Sequence, residues 1–328
     1  MQYIGLVVGF ILLVKCADWF VDGSSNLAAA MGVPTLVIGL TVVSFGTSAP
    51  EAAVSISASL AGQNDIAVGN AMGSNICNLL LVLGASAVFY PLKADKKVLL
   101  KDYMFSILAA LVLIFVTADV FLADGVGALL HRIREGETES GPVSYITRSE
   151  GLVMLAFIIA YVYSLVLGVL DRETAVAERQ TFRWRYLLLI AAGITGIMVG
   201  GDLVVDSSVK IAASFGVSTQ LVALTIVAVG TSLPELVTSV VAARKHETDI
   251  ALGNAIGSNL FNIFFILGSA AAVSPLRLTV LAFTDILVMT VLLLVVLMLA
   301  WRGSVISRGN GIFMLLLYAA YLFYVVMR

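Results

Sequence analysis

The sequence predicts an all-α polytopic membrane protein with ten transmembrane helices in two inverted five-helix repeats. Three observations predict this fold: long apolar segments, a duplicated sequence, and an odd number of segments in each copy. The 328-residue chain is 60% hydrophobic and only 12% charged, whereas soluble domains carry about 25% charged residues. Its apolar stretches reach the length of membrane-spanning helices, which excludes an ordinary globular core.

Ten apolar segments are each about long enough to cross a hydrocarbon core near 30 Å. The first is expected to be a retained helix rather than a cleaved signal, because Lys15 follows its apolar run instead of preceding it. The longest polar connection, 124–149, is predicted to be a flexible loop. The segments are 3–22, 36–60, 66–90, 102–121, 150–170, 186–210, 220–243, 249–270, 280–301 and 309–327.

The two halves of the sequence are copies of one another. The motif GTSAPE at 46–51 recurs 184 residues later as GTSLPE at 230–235. Residues 36–84 and 220–268 are identical at 22 of 49 ungapped positions. Such a repeat predicts two similar structural units. They are residues 1–170 and 186–328, joined by a linker at 171–185.

Each predicted repeat has five spans, so the two copies must enter the membrane from opposite sides. A binding site is therefore expected near the midplane, where inverted copies meet. Ten spans put both termini on one side. If that side is outside, the inner connections carry twelve Lys and Arg residues and the outer ones six, so the positive-inside rule predicts that both termini lie outside.

Each copy places a proline and a carboxylate inside an apolar segment: Pro50 with Glu51, and Pro234 with Glu235. Proline interrupts a helix, and a mid-membrane charge, which costs roughly 2.5–3.5 kcal/mol, indicates a functional site. The carbonyls freed by the break must be satisfied by protein, water or ions. These carbonyls, the hydroxyls of the preceding Thr and Ser, and the carboxylate form an all-oxygen ligand set that suits calcium or sodium.

A stripe of three polar residues spaced four apart follows in the next helix of each half, along one helix face. Hydrogen bonding between helices is the alternative role of such a stripe. Because each stripe accompanies a broken carboxylate helix, we predict that its last two residues bind the cation. The stripes are Asn70, Ser74 and Asn78, and Asn254, Ser258 and Asn262.

Only two carboxylates, Glu51 and Glu235, are predicted at mid-membrane depth. One calcium ion neutralises their combined charge, and so do two monovalent ions. A site that cannot hold both loads together would exchange one for the other. Magnesium is less suitable, because it demands a tight octahedral geometry and releases water reluctantly.

Other residues have simpler predicted roles. Cys16 and Cys77 are expected to be buried small residues, and the pair Asp18 and Asp22, grouped with Lys15, is expected at the headgroup boundary. The same position is expected for Asp202 and Asp206. The sequence has no Gly-rich phosphate loop, nucleophile triad, thiol–metal pair or basic block, so neither an enzyme nor a nucleic-acid partner is predicted.

These motifs resemble those of the sodium/calcium exchangers, within the cation/calcium antiporter superfamily. The match lies in the alpha-repeats 36–84 and 220–268, with GTSAPE…GNAMGSNICN and GTSLPE…GNAIGSNLFN. The chain is similar to compact prokaryotic members, which lack a large regulatory loop. The resemblance implies a secondary active antiporter that exchanges sodium for calcium by alternating access. It also implies a multi-pass protein of the prokaryotic inner membrane that acts as a monomer without a cofactor.

The resemblance further implies a set of cation ligands. They comprise two central carboxylates, the neighbouring hydroxyls and carbonyls, carbonyls one turn earlier, and polar residues of the third and eighth helices. They fall on Glu51, Glu235, Thr47, Ser48, Thr231, Ser232, Ser44, Ala228, Ser74, Asn78, Ser258 and Asn262.

One position departs from several members of this family. Potassium-dependent relatives, among others, carry an acidic residue where this chain has Asn262. The amide keeps an oxygen ligand and removes a titratable charge, so potassium dependence is not predicted and the number of sodium ions per calcium stays open.

Three functional hypotheses remain at this point. The first is sodium-driven calcium exchange, and the second is proton/calcium (or other divalent cation) antiport by the same fold. The third is a passive channel or a membrane scaffold. For a transporter, the first and sixth helices, which are apolar and glycine-rich, are expected to slide as a unit, because their backbone hydrogen bonds are internal.

Overall fold

In a computed structural model of the protein, the described residues are 2–118, 144–170, 181–215, 228–301 and 303–327. This part of the chain is almost entirely helical. Its helices are α1 (Gln2–Met31), α2 (Thr35–Thr47), α3 (Ala49–Leu60), α4 (Asn64–Phe89), α5 (Leu99–Thr117), α6 (Arg148–Leu170), α7 (Trp184–Ser214), α8 (Ala228–Gly230), α9 (Leu233–Arg244), α10 (Thr248–Val273), α11 (Val280–Trp301) and α12 (Arg308–Met327). A short helix, Lys96–Val98, leads directly into α5. The four strands are β1 (Leu92–Lys93), β2 (Ser144–Ile146), β3 (Leu276–Leu278) and β4 (Val305–Ile306).

Within these residues, eight helices are long and apolar enough to cross a membrane, and there are nine if the bent pair α2–α3 is counted as one span. The predicted segment 220–243 begins outside the described residues and ends in α8 and α9. The predicted loop 124–149 and linker 171–185 also lie largely outside them.

The helices α1 and α7 are longer than the predicted segments 3–22 and 186–210. They have 30 and 31 residues, so each is about 45 Å long at 1.5 Å per residue and exceeds a hydrocarbon core of about 30 Å. Asp18, Asp22, Asp202 and Asp206 therefore lie within long helices and not at their ends, whereas their position at the headgroup boundary stays a prediction.

The proline in each copy starts a new helix, as its missing N–H predicts. The chain bends by 49° between α2 and α3. At the break, Ser48 leaves helical geometry, with φ −83° and ψ 5°, and Pro50 stands in the first turn of α3. Ser232 precedes α9 in nearly the same conformation, with φ −89° and ψ 5°. The predicted helix break is confirmed in both copies.

Two short antiparallel strand pairs connect the two sequence halves. In the first, β1 pairs with β4, so that Leu92 lies opposite Ile306. In the second, β3 pairs with β2, and Leu278 lies opposite Ser144. Each pair therefore takes one strand from each half of the chain, next to the ends of α4 and α10.

The helices α1 and α7 pack closely along glycine-rich faces. A Cβ atom on Gly200 would lie 3.0 Å from the Gly9 carbonyl oxygen, and one on Gly193 would lie 2.9 Å from the Cys16 carbonyl oxygen. Backbones at this distance leave no room for larger side chains, as in other small-residue interfaces between membrane helices.

The helices α4 and α10 are the most deeply buried spans in the described chain. A Cβ atom on Gly253 would lie 2.9 Å from the Leu36 carbonyl oxygen, so α10 packs directly against the backbone of α2. Both helices contain π-helical turns, at Asn78–Val82 in α4 and Phe261–Leu267 in α10. Such turns are frequent at functional sites, and here they contain Asn78 and Asn262.

Candidate cation site

The two predicted carboxylates are buried at the starts of the half-helices that follow the breaks. Glu51 lies in the first turn of α3 and Glu235 in the first turn of α9. Their exposed fractions are 0% and 1%. A carboxylate at a helix N-terminus interacts favourably with the unpaired N–H groups there, so both positions tolerate a negative charge better than a helix interior would.

Serines of one half donate hydrogen bonds to the carboxylate of the other half. Ser48 Oγ donates to Glu235 Oε1 at 2.9 Å, and Ser232 Oγ donates to Glu51 Oε1 at 3.4 Å. Ser74 Oγ, on α4, also lies 3.5 Å from Glu51 Oε1 and 3.2 Å from Ser232 Oγ. The structure thus brings together five of the predicted residues in one buried cluster.

Five side-chain oxygens of the predicted ligands are buried without a hydrogen-bond partner among the described residues. These atoms are Glu51 Oε2, Glu235 Oε2, Asn78 Oδ1, Asn262 Oδ1 and Ser258 Oγ. Buried polar atoms normally have partners, since leaving one unpaired costs about 1–3 kcal/mol. Carboxylate, amide and hydroxyl oxygens are the ligands that hard cations prefer, so the residues present fit a cation.

The remaining members of the predicted set contact this cluster in different ways. Ser258 lies beside Glu235 but outside hydrogen-bonding geometry. The Ser44 carbonyl already accepts hydrogen bonds from the backbone N–H of Ser48 at 3.0 Å and from Thr47 Oγ1 at 3.3 Å. The backbone of Ala228 begins α8, and its side chain lies outside the described part of the structure. The amide nitrogens of Asn78 and Asn262 are buried without a partner in the described structure, like their oxygens.

The two predicted threonines donate to asparagines of the opposite half. Thr47 Oγ1 donates to Asn254 Oδ1 at 3.0 Å, and Thr231 Oγ1 donates to Asn70 Oδ1 at 3.4 Å. The sequence placed both asparagines on polar stripes and did not assign them to the site. The four-residue spacing to Ser74 and Ser258 was the available signal, because it puts each asparagine one turn from a site residue.

Cys77 is buried, as predicted, but it also touches the site. Its thiol lies beside Ser232 and beside the Tyr318 hydroxyl of α12. The corresponding position in the second half is Phe261, so this contact exists on one side only, and the internal repeat gives no signal for it.

A cavity of about 290 Å³ adjoins the cluster on the side of α7. Its lining includes Asp202, Asp206, Pro50, Thr231 and Pro234. Both aspartates are exposed, and they face the two helix breaks across the cavity.

The equivalent aspartates of α1 are ion-paired instead. Lys245 Nζ lies 2.7 Å from an oxygen of Asp18 and 2.7 Å from one of Asp22. The sequence grouped these aspartates with Lys15, which lines a small cavity together with Asp18 and Lys245, and it did not predict Lys245 as their ion-pair partner. Burial alone would lower the pKa of Lys245. The two neighbouring carboxylates outweigh this effect and raise that pKa above its ordinary value.

A larger cavity, of about 770 Å³, lies near the connections that contain Lys93, Asp95 and His246. It is lined by none of the twelve predicted ligands, so size alone does not identify the site. Within the described residues, no group of three His, Cys, Asp or Glu side chains could hold a metal ion. The candidate site instead combines two carboxylates with neutral oxygens.

Comparisons with known proteins agree with these features. The sequence model of the family described as sodium/calcium exchanger protein matches residues 1–167 and 185–327. The chain is 31% identical to the sodium/calcium exchanger MaX1 of Methanosarcina acetivorans, over 98% of this chain and 97% of that protein. It is 36% identical to the inner membrane protein YrbG of Escherichia coli, over 95% and 92%.

A solved structure of the sodium-calcium exchanger NCX_Mj, soaked with sodium and calcium, has the same fold. It superposes with a TM-score of 0.78 at 32% sequence identity, covering 97% of this chain and 96% of that one. The similarity spans nearly the whole length of both proteins.

Proposed function

Since the chain belongs to the sodium/calcium exchanger protein family, we propose that it exchanges sodium for calcium across a cell membrane by alternating access. The family consists of membrane transporters that carry cations by antiport, and not of enzymes. The finer proposal, sodium coupling at a midplane site, rests on the arrangement around Glu51 and Glu235. The observation that carries it is the crossed pair of serine–glutamate hydrogen bonds, which leaves one oxygen of each carboxylate available to a cation.

The charge of the site supports exchange of these two ions. Two carboxylates in a poorly solvated cluster need compensating charge, because an uncompensated buried charge costs several kcal/mol. One calcium ion or two sodium ions supply it equally. The neutral ligands add oxygens without adding charge, so the two loads compete for the same carboxylates rather than binding together.

We propose the following roles for the predicted ligands. The glutamates provide the charge, the hydroxyls and amides complete the coordination shell, and the carbonyls at the helix breaks contribute further oxygens. A carbonyl oxygen has two lone pairs. The Ser48 N–H occupies one lone pair of the Ser44 carbonyl, and the other is free when Thr47 gives its single hydroxyl proton to Asn254. The set is Glu51, Glu235, Thr47, Ser48, Thr231, Ser232, Ser74, Asn78, Ser258, Asn262, Ser44 and Ala228.

We further propose ten spans in two inverted repeats, residues 1–170 and 186–328, with a linker at 171–185 and both termini outside. The reciprocal strand pairs and the reciprocal serine–glutamate hydrogen bonds support this arrangement. Each repeat contributes half of the ligands, so one chain contains a complete site. A single chain in the bilayer is therefore proposed to be sufficient for transport.

In the proposed cycle, α1 and α7 shift together across the helices that carry the site. Their contact through Gly9 and Gly200 supports movement as one unit. Their backbone hydrogen bonds are internal, so sliding breaks none of them.

Proton/calcium antiport is the alternative, since the same carboxylates could carry protons after calcium leaves. Calcium uptake into sealed vesicles, driven by either an imposed sodium gradient or an imposed pH gradient, separates the two. We expect uptake to follow the sodium gradient and to persist when the pH gradient is collapsed. Uptake that follows only the pH gradient would establish proton coupling, and flux without countertransport would indicate a channel.

A further inference from the structure

Asn254 uses its whole side-chain amide in contacts around the site. Its Nδ2 donates to the Glu235 carbonyl oxygen at 3.3 Å and to Ser239 Oγ at 2.9 Å. Its Oδ1 accepts the hydrogen bond from Thr47 at 3.0 Å. The first two contacts lie within its own half of the chain, and the third crosses to the other half.

Asn70 repeats this pattern in the first half. Its Nδ2 donates to the Glu51 carbonyl oxygen at 3.2 Å and to Ser55 Oγ at 2.9 Å, and its Oδ1 accepts from Thr231 at 3.4 Å. Each asparagine therefore joins its own glutamate helix to the broken helix of the opposite half.

The chemistry of these groups fixes the direction of every hydrogen bond. A backbone carbonyl only accepts, so the amide nitrogen must face it and the amide oxygen must face the threonine. A threonine hydroxyl has a single proton. Thr47 has two acceptors within reach, the Ser44 carbonyl at 3.3 Å and Asn254 Oδ1 at 3.0 Å, and with its proton on the nearer one, Asn254, it donates away from the cluster. Its lone pairs are then free to face a cation.

We propose that Asn70 and Asn254 are positioning residues that orient Thr231 and Thr47 as cation acceptors and hold each glutamate helix in register with the opposite half. This inference rests on the proposed function, because it assumes that a cation binds between the two glutamates. An aspartate could accept from the threonine but could not donate to the glutamate carbonyl, so the amide is needed at both positions.

A double-mutant cycle on calcium binding tests the pairing. The variants are Thr47→Val, Asn254→Ala and the double variant, with calcium affinity of the purified full-length protein measured by titration calorimetry. We expect each single substitution to weaken binding about tenfold. The double variant should also lose about tenfold, rather than the hundredfold that independent effects would give. The matched control is the double variant Thr47→Val with Asn70→Ala, because these two residues are not bonded to each other. Its loss of calcium affinity should be the product of the two single losses.

The second cycle, Thr231→Val with Asn70→Ala, covers the case in which Asn254→Ala does not fold. Thermal unfolding without calcium is measured in parallel. Multiplicative losses in both contacting pairs, or reduced stability with unchanged calcium affinity, would overturn the positioning role. Glu51→Gln and Glu235→Gln are measured in the same way. They show whether a negative result concerns only the positioning role of the asparagines or the proposed function as a whole. If they bind calcium as the parent does, the proposed site itself is wrong.

Discussion

The helices α1 and α7 occupy equivalent places in the sequence repeat, yet their aspartates have different surroundings. On α1, Asp18 and Asp22 both form ion pairs with Lys245. On α7, Asp202 and Asp206 line a cavity that also contains Thr231. The residue 184 positions before Lys245 is Ala61, which cannot form the corresponding ion pairs.

The two halves thus differ at the flanking helices, and the difference extends to the threonines beside them. Thr47 is only 2% exposed, whereas Thr231 is half-buried and borders the cavity. Ser25 of α1 also donates to Glu247 at 2.7 Å, which adds a second polar contact beside Lys245. Polar contacts therefore join α1 to the 244–248 connection, whereas a cavity lies between α7 and the helix breaks.

The largest effect is expected when the contact between α1 and the 244–248 connection is made covalent. We predict that cysteines at Asp18 and Lys245, joined by a disulfide or a short thiol crosslinker, stop calcium exchange because α1 and α7 can no longer shift. Calcium binding should remain, since neither residue lies in the central cluster. Vesicle uptake and calorimetry, before and after reduction, measure both quantities.

The two single-cysteine variants, treated identically, control for modification of Cys16 and Cys77. Exchange by the crosslinked protein at the uncrosslinked rate would show that α1 does not move in the cycle.

A smaller effect is expected from adding a charge to either half of the site. Asn262→Asp introduces a third carboxylate, which repels the glutamates and favours an additional cation or proton. We predict a shift of about tenfold in the preference for sodium over calcium, and transport that falls more steeply at low pH. Asn78→Asp is the matched change in the first half and should act similarly if the site is symmetric. Asn310→Asp, in the first turn of α12, is the control, because Asn310 is not one of the predicted ligands. An Asn262→Asp variant with the parent's ion preference and pH profile would place this residue outside the site.

The smallest effect concerns the aspartates themselves. We predict that Asp202→Asn with Asp206→Asn slows calcium uptake a few-fold at low ionic strength, because carboxylates along a cavity raise the local cation concentration. The loss should vanish near 1 M salt, where the Debye length is about 3 Å. Asp18→Asn with Asp22→Asn should change the uptake rate less, since Lys245 already neutralises part of that charge. If both double variants lose the same, salt-dependent fraction of the calcium uptake rate, the aspartates of α1 and α7 do not differ in their effect on transport.

The sequence alone was sufficient for the features that depend on local chemistry. The breaks at Ser48 and Ser232 follow from the neighbouring prolines, and the burial of both glutamates follows from their apolar segments. The repeat also predicted which residues would correspond, and Ser48 and Ser232 do make equivalent contacts.

Features that depend on packing across the two halves were not predictable. The stripe that contains Asn254 was visible, but its bond to Thr47 depends on how α10 rotates against α2. The partner of Asp18 and Asp22 was missed because Lys245 lies more than 200 positions away in the sequence and has no counterpart in the first half. The helices α1 and α7 were predicted too short, because their aspartates were used as a sign that the helix was about to end.

The central claim is that Glu51 and Glu235 together bind calcium, and calorimetric titration of purified Glu51→Gln, Glu235→Gln and the double variant tests it most directly. Each single variant should bind calcium at least a hundredfold more weakly than the parent, because one remaining carboxylate cannot neutralise a divalent ion in a poorly solvated site. The double variant should show no binding. Glu150→Gln changes a half-buried carboxylate at the start of α6 that accepts hydrogen bonds from Thr147, and this variant should bind as the parent does. Parental calcium affinity in the folded double variant would contradict the two-carboxylate site.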